Sequence, residues 1–503
     1  MSSQSAALII IAPLLAALLV NIAGWINQRI CFATALGGLV VSLAASVSLM
    51  QQVAAAGPRI YRMAGWDPPW GIAFYVDSLS GGILILIALV ALINLVATRQ
   101  DAALAFQNRL APYYSLYLLF VTGLSGIVIT GDLFNLYVLI EIASLTGYAL
   151  LGMGGARARI SSLHYVFMGT LGASLYLLGV GYLYMVTGSL NMMDLAALLP
   201  AVEKVFLVEV SFILCLAGLF IKMAFFPLHA WLPNAYVYAA GPSTSLIASL
   251  TTKVMIYVMV RLVLTVYRPD FAFTHLPIAD LLVWLSVVAV FGASLLAYKQ
   301  QRLKRMLAYI VVIEVGYMVG GFWLGNAAGM TGALLHILND AMMTLCAFLA
   351  AGAILFRYQV DSLAHLQGLF QKMPVTMTAF VVAALSIIGV PPTCGFFSKW
   401  YLLSGGFEAG HYGYMAALIL SSLVNVLLFF RVIEIAYFEP RDHSGHAGVH
   451  SHAPESTIKE VPLDMLLPLL ATAGLLIAMG LYAHRLVGWF IEPAIAPFFP
   501  GGL

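Results

Sequence analysis

Apolar runs of about twenty residues, divided by short polar connections, follow one another along nearly the whole chain. A helix rises about 1.5 Å per residue, so a run of roughly twenty apolar residues crosses a ~30 Å hydrocarbon core. The pattern predicts fourteen spans, at 5–26, 30–53, 77–98, 112–130, 133–153, 163–185, 206–227, 242–264, 278–298, 306–324, 328–355, 374–399, 413–436 and 463–481. Almost nothing remains outside the membrane. The expected fold is therefore an all-α polytopic membrane protein of about 14 transmembrane helices, forming one membrane domain over 1–503.

Composition sharpens this picture. Of 503 residues, 62% are hydrophobic and 9% charged, against about 25% charged in a soluble domain. The N-terminal run lacks the basic flank of a cleaved signal peptide and reads as a retained span. With a net charge of +2 and no basic run interleaved with aromatics, nucleic acid is not an expected partner. Cys31, Cys215, Cys346 and Cys394 are scattered and form neither a metal-ligand spacing nor a disulfide framework. Neither a GxGxxG fingerprint nor a phosphate-binding P-loop occurs, so the expectation is no cofactor and no metal, with energy supplied from elsewhere. The polar stretch 439–460 carries His443, His446, His450 and His452 and reads as a solvated His-rich loop.

Lysines and arginines fix an orientation. Thirteen lie in the odd-numbered connections, among them Arg99, Arg157, Arg302, Lys304 and Arg305, and six on the other side. The basic side is expected to face the cytoplasm, which puts both termini outside a cell (inner) membrane.

The remaining basic residues, Lys222, Lys253, Lys399 and Arg431, lie inside spans, where charge is costly and marks an ion path or a paired contact. Glu141, nine residues past Asp132, and Glu314, nine past Arg305, each sit roughly 13 Å deep, approached from opposite sides. This predicts two inverted five-helix repeats, 112–264 (helices 4–8) and 278–436 (helices 9–13), preceded by helices 1–3 in 1–111 and followed by the His-rich loop and helix 14 in 437–503. Lys222, Lys253 and His336 fall at similar depth and form a belt in the membrane plane. A purely structural reading is that such pairs only lock helices together. That is a weak use of buried charge, because apolar packing avoids the desolvation cost.

Two spans are expected to be broken: Pro227 follows Lys222, and Pro391-Pro392 precedes Lys399. Proline removes a backbone donor, and the freed carbonyls are tolerated where they line a hydrated cavity.

The stretches Gly131-Asp132-Leu133-Phe134-Asn135-Leu136-Tyr137-Val138 leading to Glu141, Phe226-Pro227-Leu228-His229-Ala230-Trp231-Leu232-Pro233-Asn234-Ala235, and Pro391-Pro392-Thr393-Cys394-Gly395-Phe396-Phe397-Ser398-Lys399 resemble the antiporter-like proton-translocating family. That family comprises large membrane subunits of respiratory complex I, membrane-bound hydrogenases and Mrp-type cation/proton antiporters. The segment Trp66-Asp67-Pro68-Pro69-Trp70-Gly71-Ile72 followed by Asp77 resembles the Mrp D branch. The resemblance implies a proton path through Glu141, the Lys222 it pairs with, Lys253, His336 and Lys399, with His229, Glu314, Asp340 and His164 as further candidates. It also implies other membrane subunits as partners and protons as the ion, with Na+ left open. His164, Asn234 and Thr344 depart from the family pattern. The implied role is a proton-translocating subunit, Mrp D-like. The alternatives are a proton-pumping subunit of a complex I-like oxidoreductase or hydrogenase, and a passive structural subunit.

Overall fold

The computed structural model describes residues 4–359, 361–437 and 460–499; the four loop histidines lie outside the described residues. The helices are α1 (Ser5–Ile26), α2 (Gln28–Ala56), α3 (Ser78–Ala97), α4 (Arg99–Phe106), α5 (Leu110–Ile129), α6 (Leu133–Gly152), α7 (Ala156–Thr187), α8 (Met192–Leu198), α9 (Val205–Lys222) and α10 (Trp231–Tyr238). They continue as α11 (Gly241–Arg261), α12 (Ala279–Tyr298), α13 (Leu303–Trp323), α14 (Ala327–Tyr358), α15 (Leu369–Lys372), α16 (Pro374–Ile388), α17 (Cys394–Glu408), α18 (Tyr412–Tyr437) and α19 (Leu463–Leu481). Thirteen are long and apolar enough to cross a membrane. The twelfth expected span, 374–399, is not continuous: it is two 15-residue helices, α16 and α17, separated at Pro391-Pro392.

The all-α expectation needs one amendment, a two-stranded ribbon of β1 (Arg59–Arg62) and β2 (Ala73–Val76), with Arg59 opposite Val76. The ribbon lies against the α5–α6 corner, where Gly131 N donates to Ala73 O at 2.9 Å. Helix starts inside this dense bundle need partners for their free N–H groups. Asp77 caps α3 through Ser80, Asp132 caps α6 through Asn135 N at 2.7 Å, and Asn326 caps α14 through Gly329 N at 2.8 Å.

α11, α13 and α14 form the centre. Nearly every residue of each is buried, whereas α1, α2, α7 and α18 present broad apolar faces outward. Glycine permits a close crossing of α7 and α9. A Cβ on Gly218 of α9 would stand 2.5 Å from Gly172 O of α7, so these backbones touch.

One backbone motif occurs twice. Before α6, Leu133 N donates to Leu190 O and Met192 N to Gly131 O; before α13, Leu303 N donates to Asp361 O and Leu363 N to Gln301 O. Each clasp ties the start of one spanning helix to the segment after the next. Counted from the clasps, Glu141 stands nine residues beyond Asp132 and Glu314 twelve beyond Arg302. The equal depth expected for the two acids is thus off by about one helical turn, because Arg305 already lies inside α13.

Candidate functional site

Each break leaves backbone carbonyls to be satisfied, and each is answered by a side chain. α9 ends at Lys222, Ala224 takes a left-handed φ of 57°, and Ile221 O accepts from Ala224 N at 3.2 Å and from Trp231 Nε1 at 3.1 Å. Tyr165 stacks on the same indole at 3.8 Å. At the second break Gly389 turns with φ 95°, and Lys399 Nζ reaches back to Ile387 O at 2.7 Å and Ile388 O at 3.3 Å. Lys399 is therefore held by unwound backbone, and Lys222 is the last helical residue before the other break.

The first ion pair joins α6 to α9. Lys222 Nζ donates to Glu141 Oε1 at 3.1 Å, to Ser144 Oγ at 2.8 Å and to Tyr148 OH at 3.5 Å. The lysine is sealed, at 4% side-chain exposure, but Glu141 keeps 23% on the outward side of α6.

The second pair was not foreseen. Lys253 Nζ lies 2.9 Å from Asp340 Oδ2, joining α11 to α14 at the centre, with each side chain 1% exposed. Thr344, one turn past Asp340, accepts from Lys253 at 3.2 Å and donates to Asp340 Oδ1 at 2.8 Å. A threonine at the position where the family often has lysine therefore completes this pair.

The third pair, also unforeseen, is His336 Nε2 with Glu314 across α14 and α13. His336 Nδ1 meets Ser398 Oγ at 2.8 Å, so the neighbour of Lys399 holds the ring from the other side. A histidine bonded through both ring nitrogens to groups that give and take protons has the connections of a relay. Lys399 itself has no carboxylate in ion-pair contact among the described residues. Beyond the two carbonyls it donates to Ser422 Oγ at 3.1 Å and lies over the Tyr317 ring at 4.9 Å.

Two further candidates stand apart. His229, in the first break, is buried, stacks on Phe226 at 4.8 Å and leaves Nδ1 without a partner among the described residues. His164 lies on an exposed stripe of α7 with Leu163 and Phe167, turned away from the ion pairs. Asn234 accepts from Arg305 at 3.3 Å, outside the belt.

Sequence reading missed the neutral partners, although spacing carried a signal: Ser144 and Tyr148 follow Glu141 by three and seven residues, and Thr344 follows Asp340 by four, each on one helix face. Among the described residues no cluster of His, Cys, Asp and Glu is arranged to hold a metal, and all four cysteines are free and buried.

A helical membrane bundle with two broken helices and a buried acid–base belt defines the class. Residues 130–424 match the family described as NADH:quinone oxidoreductase/Mrp antiporter, TM, and the chain belongs to that family. It is similar to NADH-quinone oxidoreductase subunit N of Desulforudis audaxviator (strain MP104C), 40% identical over 98% of this chain and 99% of the relative. The Na(+)/H(+) antiporter D subunit of Bacillus subtilis (strain 168) is 29% identical over 79% of this chain and 80% of its own length. Among solved structures, a chain of the Mrp complex from Dietzia sp. DQ12-45-1b superposes with a TM-score of 0.88 at 25% identity, covering 99% of this chain and 98% of that one.

Proposed function

We propose that this chain carries protons across the membrane through Glu141–Lys222, Lys253–Asp340, His336–Glu314 and Lys399, as one membrane subunit of a hetero-oligomeric complex. The observation that carries the reading is the Lys253–Asp340 pair, two charges at 1% exposure between two of the three central helices, α11 and α14. A pair kept only for strength is a poor use of that position, since apolar side chains of similar volume would hold the helices as well or better. In the working cycle each lysine holds its proton while its acid is charged and gives it up when the acid is neutralised or withdrawn. His336 then passes the proton towards Lys399 through Ser398 and water.

The setting we favour is an Mrp-type cation/proton antiporter, in a D-like position, a reading supported by the B. subtilis relative and the Dietzia superposition; both termini outside the cell (inner) membrane is the orientation that the lysine and arginine asymmetry of the connections supports. There Na+ moves through the assembly against the protons carried here. The 40% identity to an oxidoreductase subunit supports a second setting, in which a redox partner drives the same path.

Affinity purification of the tagged chain with its membrane partners, followed by reconstitution, tests both. Sodium-driven proton movement supports the antiporter, and quinone- or donor-driven movement supports the redox complex. An assembled complex that moves no protons under either drive overturns the reading.

A further inference from the structure

α11 carries a polar feature that extends beyond the belt at both ends. Gly241, Ser245, Ser249, Lys253, Tyr257 and Arg261 stand four residues apart along it. Such residues form a ridge that winds about 40° per step around a helix. From Pro242 to Val260 every residue of α11 is buried, so this ridge runs inside protein, never against lipid, with Lys253 in its middle.

The two ends differ. At the Gly241 end, Asp101 of α4 lays its carboxylate over the first turn of α11: a Cβ on Gly241 would stand 2.6 Å from Asp101 Oδ2. Asp101, Thr98, Gly241 and Ser245 line one narrow cavity. Ser245 Oγ accepts from Asn94 Nδ2 at 2.5 Å, and Asn94 Oδ1 accepts from Tyr117 OH at 3.1 Å. One turn deeper lies Ser249, and one turn beyond it Lys253. The buried hydroxyls of Ser243 and Thr252 on the same helix have no partner among the described residues, which leaves them free to bond water. Asp101 enters no ion pair among the described residues. The neighbouring cation, Lys304, is held elsewhere, its Nζ on Ala239 O at 3.1 Å and its backbone N on Asp361 Oδ1 at 3.1 Å.

At the opposite end Arg261 pairs with Asp77, its Nε donates to Tyr257 OH at 2.8 Å, and Tyr257 OH donates to Val128 O at 2.9 Å. A guanidinium keeps its proton at any working pH and cannot relay one. On one side of Lys253 the ridge carries the hydroxyls of Ser245 and Ser249, which donate to Gly241 O at 3.0 Å and to Ser245 O at 2.6 Å, and on the other it ends at a guanidinium that cannot relay a proton.

We propose that Asp101 is the uptake carboxylate for Lys253, and that the Asp77–Arg261 pair seals the far end of the same ridge. Water on the Arg99 side protonates the Asp101 carboxylate. The acid then passes its proton by way of Ser245, Ser249 and intervening water to the neutral Lys253 amine, leaving an Asp101 carboxylate and a Lys253 ammonium. This rests on the proton-conducting reading above and gives that path its uptake side.

The test uses the assembled complex in membrane vesicles, comparing Asp101→Asn, Asp101→Glu and the unaltered chain at matched abundance. Asp101→Asn is expected to slow proton transport by roughly tenfold or more, since a positioned proton-transfer group contributes at least that. Asp101→Glu should retain most of the rate, and added formate, a small diffusible acid, should restore part of it to the asparagine variant but not to a Lys253→Met variant. A structural role would not respond to formate. Should Asp101→Asn fail to accumulate, Ser245→Val carries the same test by placing apolar surface between Asp101 and Ser249. Normal transport by either variant while Lys253→Met is inactive overturns this proposal and leaves the proton path standing. An unaltered complex that conducts no protons overturns both.

Discussion

Lys222→Arg separates a titrating lysine from a fixed counter-ion. In the structure the ammonium touches Glu141, Ser144 and Tyr148 within 3.5 Å, and a guanidinium has donors enough for all three. The ion pair, and with it the α6–α9 contact, should survive the change. What changes is the cost of releasing a proton. Unperturbed arginine titrates about 2–3 pH units above lysine, which amounts to roughly 3–4 kcal/mol and a 10²–10³-fold smaller neutral population. The same surroundings act on both side chains, so this difference carries over approximately. If Lys222 releases a proton in every cycle, transport by the assembled complex should fall by about two orders of magnitude while subunit abundance and thermal stability stay near normal. The assay is proton movement in vesicles at several pH values, with the subunits quantified in the same membranes. Transport within twofold of normal would refute the reasoning and leave Lys222 as a structural partner of Glu141.

Other outcomes follow from particular contacts. Asp340→Ala alone should destabilise the purified complex by about 3–5 kcal/mol, because it strands the Lys253 charge. The double variant Asp340→Leu with Lys253→Met should recover much of that in thermal denaturation, and simple additivity of the single changes would show that the pair is not coupled. Gly218→Ala places a Cβ 2.5 Å from Gly172 O and should cost about 1–3 kcal/mol and lower membrane abundance; an unchanged melting profile would mean that α7 and α9 can separate freely. A cysteine placed in the 299–302 connection should be labelled only from the cytoplasmic side in intact cells, with little background from the four buried native cysteines. Labelling from outside would invert the proposed orientation.

Most spans were legible because a hydrocarbon solvent imposes a length rule that amino-acid pattern obeys directly. The run 5–26 is α1 and the run 463–481 is α19, residue for residue. Proline marked both breaks, although not how the chain passes through them: α9 stops at Lys222, five residues before Pro227, and α17 resumes at Cys394. The belt was legible in its members and less so in its pairings. Glu141 and Lys222 are joined by the family likeness. Lys253 and Asp340, or Glu314 and His336, meet only because α11, α13 and α14 pack together, and nothing in linear order states which faces of those helices meet. His164 shows the converse: a histidine within a span is inside only if its helix face is, and the Leu163–Phe167 stripe turns that face outward.

The belt also has a sum. Taken with its three acids, Glu141, Asp340 and Glu314, ionised, its three lysines, Lys222, Lys253 and Lys399, protonated and His336 a neutral imidazole, the belt sums to zero. A proton that hops from one member to the next leaves this total at zero and only reorients a dipole within the protein. A proton arriving from water makes the total +1 in a medium that solvates charge poorly, and one departing makes it −1. The steep electrostatic steps therefore lie at the two thresholds and not along the row between them. Transport through such a neutral row should be paced by charging and discharging, one elementary charge at a time, with lateral travel comparatively fast.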